Sequence, residues 1–424
     1  MTTPHLLYSI RRIRKPGMLA FLVFAFTCIN AQTPDSWTRK SDFPGTARQD
    51  AAAFTAGGKG YIVSGKDSSG TLLNEVWMYD AANDSWTRKN DFPGVSRCGA
   101  AAFSVSDTGY VTCGYDGTDE LKDCWKYNHG TDTWTRMQDV GTSLSGTFNG
   151  RSHATGLSTS NYGYLLCGYD GSPGYLKQNM RFDPQNDTNW AVARNMGNVS
   201  ELTLFGRRWG AGFVIGNTPY FGTGFTFSQD IRKDIWRYDA ALASWVQMTD
   251  LPDIRSNAFG FALYGKGYIG CGTNGSSQQD LWRFNPADNS WTQVSDLPGG
   301  SRVNASCFVI GNRAYVSGGQ HTAGTVYNDL WEYTPDSTVG VAESLVPDFN
   351  VFLRDGQILL TCTSANIIGA TFELYSLNGV LLRKEVVKGS VTRLSTIELA
   401  ASTYLYSVID PKQRWGKTGK ICLD

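Results

Sequence analysis

Residues 86–136 read WTRKNDFPGVSRCGAAAFSVSDTGYVTCGYDGTDELKDCWKYNHGTDTWTR. The stretch runs from one Trp-Thr-Arg, at Trp86, to the next, at Trp134. Between them stand Arg97, with Ala100 and Phe103 on its C-terminal side, then Tyr110 and Gly114, then Trp125 and Tyr127. Apolar residues alternate in short runs, broken by Gly, Asp and Asn. That is the period of strands and turns, not of an amphipathic helix.

The same marks occur six times. Trp37, Trp86, Trp134, Trp190, Trp245 and Trp291 open units at steps of 49, 48, 56, 55 and 46 residues. The arginine pattern recurs as Arg48-Ala51-Phe54, Arg97-Ala100-Phe103, Arg151-Ala154-Leu157, Arg208-Ala211-Val214, Arg255-Ala258-Phe261 and Arg302-Ala305-Phe308. Tyr61-Gly65, Tyr110-Gly114, Tyr164-Gly168, Tyr220-Gly224, Tyr268-Gly272 and Tyr315-Gly319 follow, then a Trp with an aromatic two residues on, except for Met180-Phe182 in the third unit. Each unit reads as four strands, around Ala51–Phe54, Tyr61–Ser64, Val76–Tyr79 and Trp86–Arg88 in the first. A small sheet cannot bury both faces alone, so the units must stack. The first Trp segment lacks the three strands before it and the last unit lacks its fourth. The expectation is a ring closed by the N-terminal strand on the sixth blade.

Arginine, a glycine doublet and spaced aromatics together resemble the kelch repeat, although the doublet is literal only at Gly318-Gly319. The resemblance implies an all-β fold: a six-bladed kelch-type β-propeller over residues 32–334. The 47 glycines, 13 tryptophans and 20 tyrosines suit such a chain. Its 424 residues carry 18% charged side chains and a net charge of zero, which gives no field to draw nucleic acid or an anionic membrane.

Both ends point to export. Arg11, Arg12, Arg14 and Lys15 precede the apolar stretch Met18 to Ile29, and Ala31 offers a cleavage point, so residues 1–31 read as a signal peptide. No later stretch is long and apolar enough to span a bilayer. After a linker at 335–343, residues 344–424 read as a small antiparallel β-sandwich, with strands at Val351–Arg354, Phe372–Leu377 before an Asn378-Gly379 turn, Ile397–Leu399, Tyr404–Val408 and Gly419–Cys422. This order resembles the C-terminal sorting domain of the type IX secretion system of Bacteroidetes. Two departures stand out: an Asn-Pro element near the domain start is missing, and Ser402 occupies a usual glycine position. The resemblance implies a secreted or outer-surface protein that engages that secretion machinery.

Function is sought in loops on the rigid ring. The first-to-second strand turns are tight, and the connections on the opposite face are long, above all at 140–150 and 196–207. The repeated arginines read either as a basic rim for acidic groups or as ties between blades. Unrepeated residues are the better ligand candidates. Arg151, His153, Arg207, Arg208, Trp209, Tyr115, Asp116, Tyr169, Asp170 and His321 are the candidate binding residues, with Phe148 and Phe205 beside them. Tyr115 and Tyr169 read as sugar-stacking rings or as plain turns; Trp209 reads as a sugar platform or an extra core ring. The expected ligand is a glycan or a protein. No catalytic residue, metal ligand or cofactor is assigned, and nucleic acid is not expected as a partner. The alternative is a carbohydrate-active kelch enzyme, galactose-oxidase-like or sialic-acid-mutarotase-like. Of its histidines, His129 belongs to the opposite face, while His153 and His321 fall on distant blades. Cys113, Cys167 and Cys271 share one repeat position and read as small buried residues; pairing of Cys98 or Cys124 with Cys113, and of Cys362 with Cys422, stays open.

Overall fold

The computed structural model describes residues 35–141, 150–171, 174–185, 190–193, 206–240, 242, 244–335, 349–354, 357–362, 368–376, 380–389, 391–396, 399–400, 402–409 and 416–423. The signal-peptide reading, Phe148, Phe205, most of the two long loops, most of the linker and the Asn378-Gly379 turn fall outside these residues. The described secondary structure is strand throughout.

Six four-stranded antiparallel sheets form the blades of the propeller. Blade 1 comprises strands Ala52–Ala56, Lys59–Val63, Val76–Asp80 and Ser85–Arg88, here lettered a to d from the channel outward. Blade 6 takes its a, b and c strands from Ser306–Ile310, Arg313–Ser317 and Leu330–Thr334. Its d strand is Ser36–Lys40, which pairs antiparallel with Leu330–Thr334. Trp37 packs on Tyr333 at 5.0 Å and donates its indole N–H to the Ser295 carbonyl at 2.8 Å. The two ends of the repeat are thereby joined.

Aromatic side chains hold the blades together. Phe54 on strand a stacks on Tyr61 of its own blade at 5.0 Å and meets Tyr127 and Trp134 of the next blade at 5.9 and 6.3 Å. Phe103, Phe213, Phe261 and Phe308 repeat the inter-blade contact. A Cβ on Gly109 would overlap the Phe54 ring, so the glycine before the strand-b tyrosine is a steric requirement there. Blade 3 carries the smaller Leu157, and the next blade carries Pro219 at the matching site.

The repeated arginines are buried in every blade. Their Nη1 groups donate to the carbonyls of Ser64, Cys113, Cys167, Thr223, Cys271 and Gly318 at 2.7–3.0 Å. Those acceptors all lie in the left-handed region, with φ between 56° and 69°. Five of the arginines also pair with a carboxylate: Glu75, Asp123, Asp234, Asp280 or Asp329. The same carboxylate accepts the indole N–H of the strand-c Trp two residues on. Blade 3 has Gln178 for the acid and Met180 for the Trp, so both partners of this motif are replaced together. The arginine side chains thus act within their own blades. The tie between blades runs through their carbonyls, which accept from Gly65, Gly114, Gly168, Gly224, Gly272 and Gly319 of neighbouring blades at 2.7–2.9 Å. The basic-rim reading of these arginines is corrected accordingly.

The geometry also corrects the register of blade 4. Arg207, not Arg208, makes the repeat contacts, to the Thr223 carbonyl and Asp234. Phe213, not Val214, stacks on Tyr220, at 5.2 Å.

Six cysteines of the propeller are free: Cys98, Cys113, Cys124, Cys167, Cys271 and Cys307. Burial pushes the Cys113 and Cys167 thiols up to about 11. The C-terminal region forms a small sandwich. Phe349–Arg354, Gln357–Cys362 and Val391–Ser395 make one sheet; Leu381–Val386, Thr371–Tyr375, Ser402–Ile409 and Gly416–Leu423 make the other. Ile358, Leu360, Phe372, Leu374, Leu394 and Val408 fill its core. Val391–Ser395 is a strand that the pattern did not mark, and the strand expected at Ile397–Leu399 falls largely outside the described residues.

Candidate binding face at the channel mouth

Two residues after each buried arginine, the chain reaches the mouth of the central channel. These positions are Asp50, Gly99, His153, Trp209, Asn257 and Asn304, and they line a cavity of about 130 Å³. All six have positive φ, between 52° and 61°. Each N–H donates to the carbonyl of the equivalent residue on the previous blade: Gly99 to Asp50, His153 to Gly99, Trp209 to His153, Asn257 to Trp209, Asn304 to Asn257 and Asp50 to Asn304, at 2.8–3.1 Å. The result is a closed belt of backbone hydrogen bonds around the channel. Gly, Asn and Asp tolerate this conformation, whereas His153 and Trp209 hold it at a cost of about 1–2 kcal/mol each. The belt's hydrogen bonds hold both residues in that conformation.

The belt presents different side chains on its two halves. On blades 5, 6 and 1, amides form a relay. Ser256 Oγ donates to Asn257 Oδ1 at 2.9 Å, Asn257 Nδ2 to Asn304 Oδ1 at 2.6 Å, Asn304 Nδ2 to Gln49 Oε1 at 3.2 Å, and Gln49 Nε2 to Gln320 Oε1 at 2.6 Å. On blades 3 and 4 the rim is aromatic. Trp209 meets His153 edge-on at 5.1 Å, and Tyr175 lies 5.4 Å from Tyr169, 6.1 Å from Phe225 and 6.4 Å from Phe227. Phe227 is 75% exposed. Arg208 lies among these rings, its Cζ 3.8 Å from the Trp209 centroid and 4.8 Å from that of Tyr169.

Charge lies between the halves. Lys66 Nζ is 3.0 Å from Asp50 Oδ2, and His153 Nε2 is 3.8 Å from Asp50 Oδ1. Burial opposes the Lys66 charge, but Asp50 outweighs it and holds the ammonium above its ordinary pKa. Burial holds the His153 imidazole below its ordinary value, with Lys66 and Arg208 adding to the effect and Asp50 opposing it. Gly99 leaves the space that His153 fills, since a Cβ there would lie 2.6 Å from Nε2.

The sequence candidates separate clearly. His153, Arg208, Trp209 and Tyr169 come together at the mouth. Arg151 and Arg207 do not. Both are fully buried; Arg151 donates to the Cys167 and Gln178 carbonyls, and Arg207 is held by Asp234 at 2.8 Å. Their assignment as ligand contacts is corrected. Asp116 caps its own turn, accepting from the Thr118 and Asp119 N–H groups at 2.8 Å, and the Tyr115 hydroxyl donates to the Gly117 carbonyl at 2.7 Å. Asp170 likewise accepts from Gly174 N–H at 2.9 Å. The His321 Nδ1 accepts from Ala323 N–H at 3.0 Å within its own loop. Asp50, Asn257, Asn304, Gln49, Lys66, Tyr175 and Phe225 were not singled out from the sequence. The signal was present: in a repeat of near-constant residues, the second position after the arginine reads Asp, Gly, His, Trp, Asn, Asn.

A family model described as the Kelch motif matches residues 96–141, which contain the four strands of blade 2. No curated protein matches this chain. A solved structure titled "Structure of YjhT" is similar to it with a TM-score of 0.57 at 16% identity, over 70% of this chain and 97% of that one. At that identity the likeness concerns the fold alone. Repeat, motif and sheet order agree on a kelch-type six-bladed propeller followed by a small antiparallel β-sandwich.

Proposed function

We propose that this chain is an exported binding propeller that holds a carbohydrate at its channel mouth. The observation that carries the reading is the division of one rim into an aromatic half and an amide half. A sugar ring has an apolar C–H face that packs on aromatic rings and an edge of hydroxyls that both donate and accept. Amides serve those hydroxyls because each carries two donors and an acceptor. Few charges have to be desolvated, and the belt fixes the backbone beforehand, which lowers the ordering cost of binding.

Export rests on the basic and apolar N-terminal stretch and on the resemblance of residues 344–424 to a type IX sorting domain. In this reading the propeller is the cargo, and its ligand lies outside the cell.

A glycan array probed with the full chain and with Trp209→Ala tests the binding site. The expected result is saccharide binding by the parent and at least a tenfold loss in the variant, since removing a stacked ring costs about 1–3 kcal/mol, with melting unchanged. An empty array, or a variant that binds as well as the parent, sinks the reading.

A further inference from the structure

A cavity of about 750 Å³ lies between the loops of blades 2 and 3, and none of the described residues on its wall also line the channel mouth. Part of its lining is apolar: Val95, 58% exposed, with Leu121 and the Trp125 ring. The rest is mainly acidic. Two of its carboxylates are neutralised, Asp123 by Arg97 at 2.5 Å and Asp139 by Arg136 at 2.8 Å. Asp119, Glu120 and Asp170 have no ion pair among the described residues, and the exposed Lys122 on the same lining offsets one of these three charges. Glu120 also breaks the repeat. It bridges to Tyr115, and the same position on the other blades holds Leu72, Tyr175, Ile231, Ser277 and Val326, none of them charged. The wall is shaped around this acid: a Cβ on Gly171 would lie 2.7 Å from its Oε2, and one on Gly150 would overlap its carbonyl oxygen. Burial and the nearby Asp170 and Asp119 charges hold the Glu120 carboxyl above its ordinary pKa, so the cleft carries a repulsion that a cation would relieve. Among the described residues, no three acidic, His or Cys side chains converge closely enough to ligate a metal ion. The carboxylates are spread along a partly apolar cleft instead, which suits an organic cation with an apolar stem.

We infer that this cleft receives a basic segment of a partner protein, with a lysine or arginine stem along Val95, Leu121 and Trp125 and its charged head among Glu120, Asp119 and Asp170. Long cationic side chains divide in this way, packing their methylenes on apolar surface while the head stays with opposite charge. A volume of about 750 Å³ holds a short stretch of chain rather than a single ammonium group. Charge complementarity of this kind selects the partner and speeds its association, and salt screens it. The site is separate from the carbohydrate reading and does not depend on it.

The test measures fluorescence anisotropy of two short, labelled, end-blocked peptides with the full chain, one alternating lysine and leucine and the other alternating glutamate and leucine. The lysine peptide should bind the parent about tenfold or more tightly than the glutamate peptide and should weaken as salt is raised. Glu120→Gln keeps the shape and the hydrogen bond to Ser152 but removes the charge, and should weaken the lysine peptide about tenfold. The Asp119 carboxyl makes no hydrogen bond or ion pair among the described residues, so Asp119→Asn should leave melting unchanged and weaken the same peptide about threefold. That variant decides the matter if Glu120→Gln disturbs the fold. Equal binding of the two peptides by the parent overturns the inference, and so does lysine-peptide binding that survives in both variants. Spermidine binding as tightly as the lysine peptide overturns it too, because the cleft would then belong to a free amine and not to a protein segment.

Discussion

Asp234 shows at the scale of one residue how the scaffold is held. Burial alone would raise its pKa, but Arg207 and the Trp236 indole outweigh that and keep the carboxyl below its ordinary 3.8. Asp123 is held down in the same way by Arg97. Replacing Asp234 by Asn leaves Arg207 charged and buried, which should cost about 3–5 kcal/mol of stability in chemical denaturation. The pH dependence follows from the sign of the shifts. A carboxylate with a depressed folded pKa contributes fully above its unfolded value, and its contribution is lost as pH falls below about 3.8. His153 is a base held neutral by burial, so its contribution is full above 6.5 and declines as pH falls below that. Two steps in stability are expected on acidification, the lower one weakened in Asp234→Asn. A denaturation series from pH 8 down to about pH 2 checks both. The sequence could not choose between Arg207 and Arg208, because adjacent arginines fit a spacing pattern one residue apart. Only the position of the Thr223 carbonyl and of Asp234 separates the structural arginine from the rim arginine.

Strands were legible because period-two alternation and turn residues act locally, and the four strands of blade 1 fall close to where the pattern placed them. The C-terminal sandwich was harder to read. Val391–Ser395, which the local pattern did not mark as a strand, pairs with Gln357–Cys362. Pairing over such a separation is decided by tertiary packing, which a local pattern does not contain. The closing strand Ser36–Lys40 carries a testable load. Its Asp35 neighbour accepts from the Tyr333 hydroxyl at 2.6 Å and pairs with Arg283 at 3.1 Å, so it touches blades 5 and 6. Deleting residues 35–40 exposes the edge of Leu330–Thr334 and the Tyr333 ring. A thermal scan should then lose its single cooperative transition; a deletion variant that melts like the parent would falsify the importance of closure.

Across the whole molecule, regularity identifies the ring and hides its purpose. The repeated arginines, glycines and aromatics build blades, so the patterns that revealed the fold said little about ligand. Half of the mouth was readable as unrepeated aromatic and basic residues, namely His153, Arg208, Trp209 and Tyr169. The amide half was not, because Asn and Gln between strands look like ordinary turn residues until the ring brings blades 5, 6 and 1 together. Export belongs to this scale too. If residues 344–424 are a sorting address, a chain ending at residue 343 should fold and bind as before but accumulate inside the cell. Fractionation followed by mass spectrometry measures this, and undiminished secretion of the shortened chain counts against the address.

The backbone belt around the channel has one more implication. Its six hydrogen bonds use only N–H and carbonyl groups, so they stay the same whatever side chain each position carries. The mouth is in effect a plate of six sockets with fixed positions and exchangeable fittings. Five of the sockets suit Gly, Asn or Asp, because all lie at positive φ, while Gly99 is held to glycine by the His153 ring beside it. A change of fitting alters what the plate grips without disturbing the plate. The same ring can therefore be retuned to a new ligand one socket at a time, by substitution at Asp50, His153, Trp209, Asn257 and Asn304, with Gly99 free to change only once His153 has been made smaller.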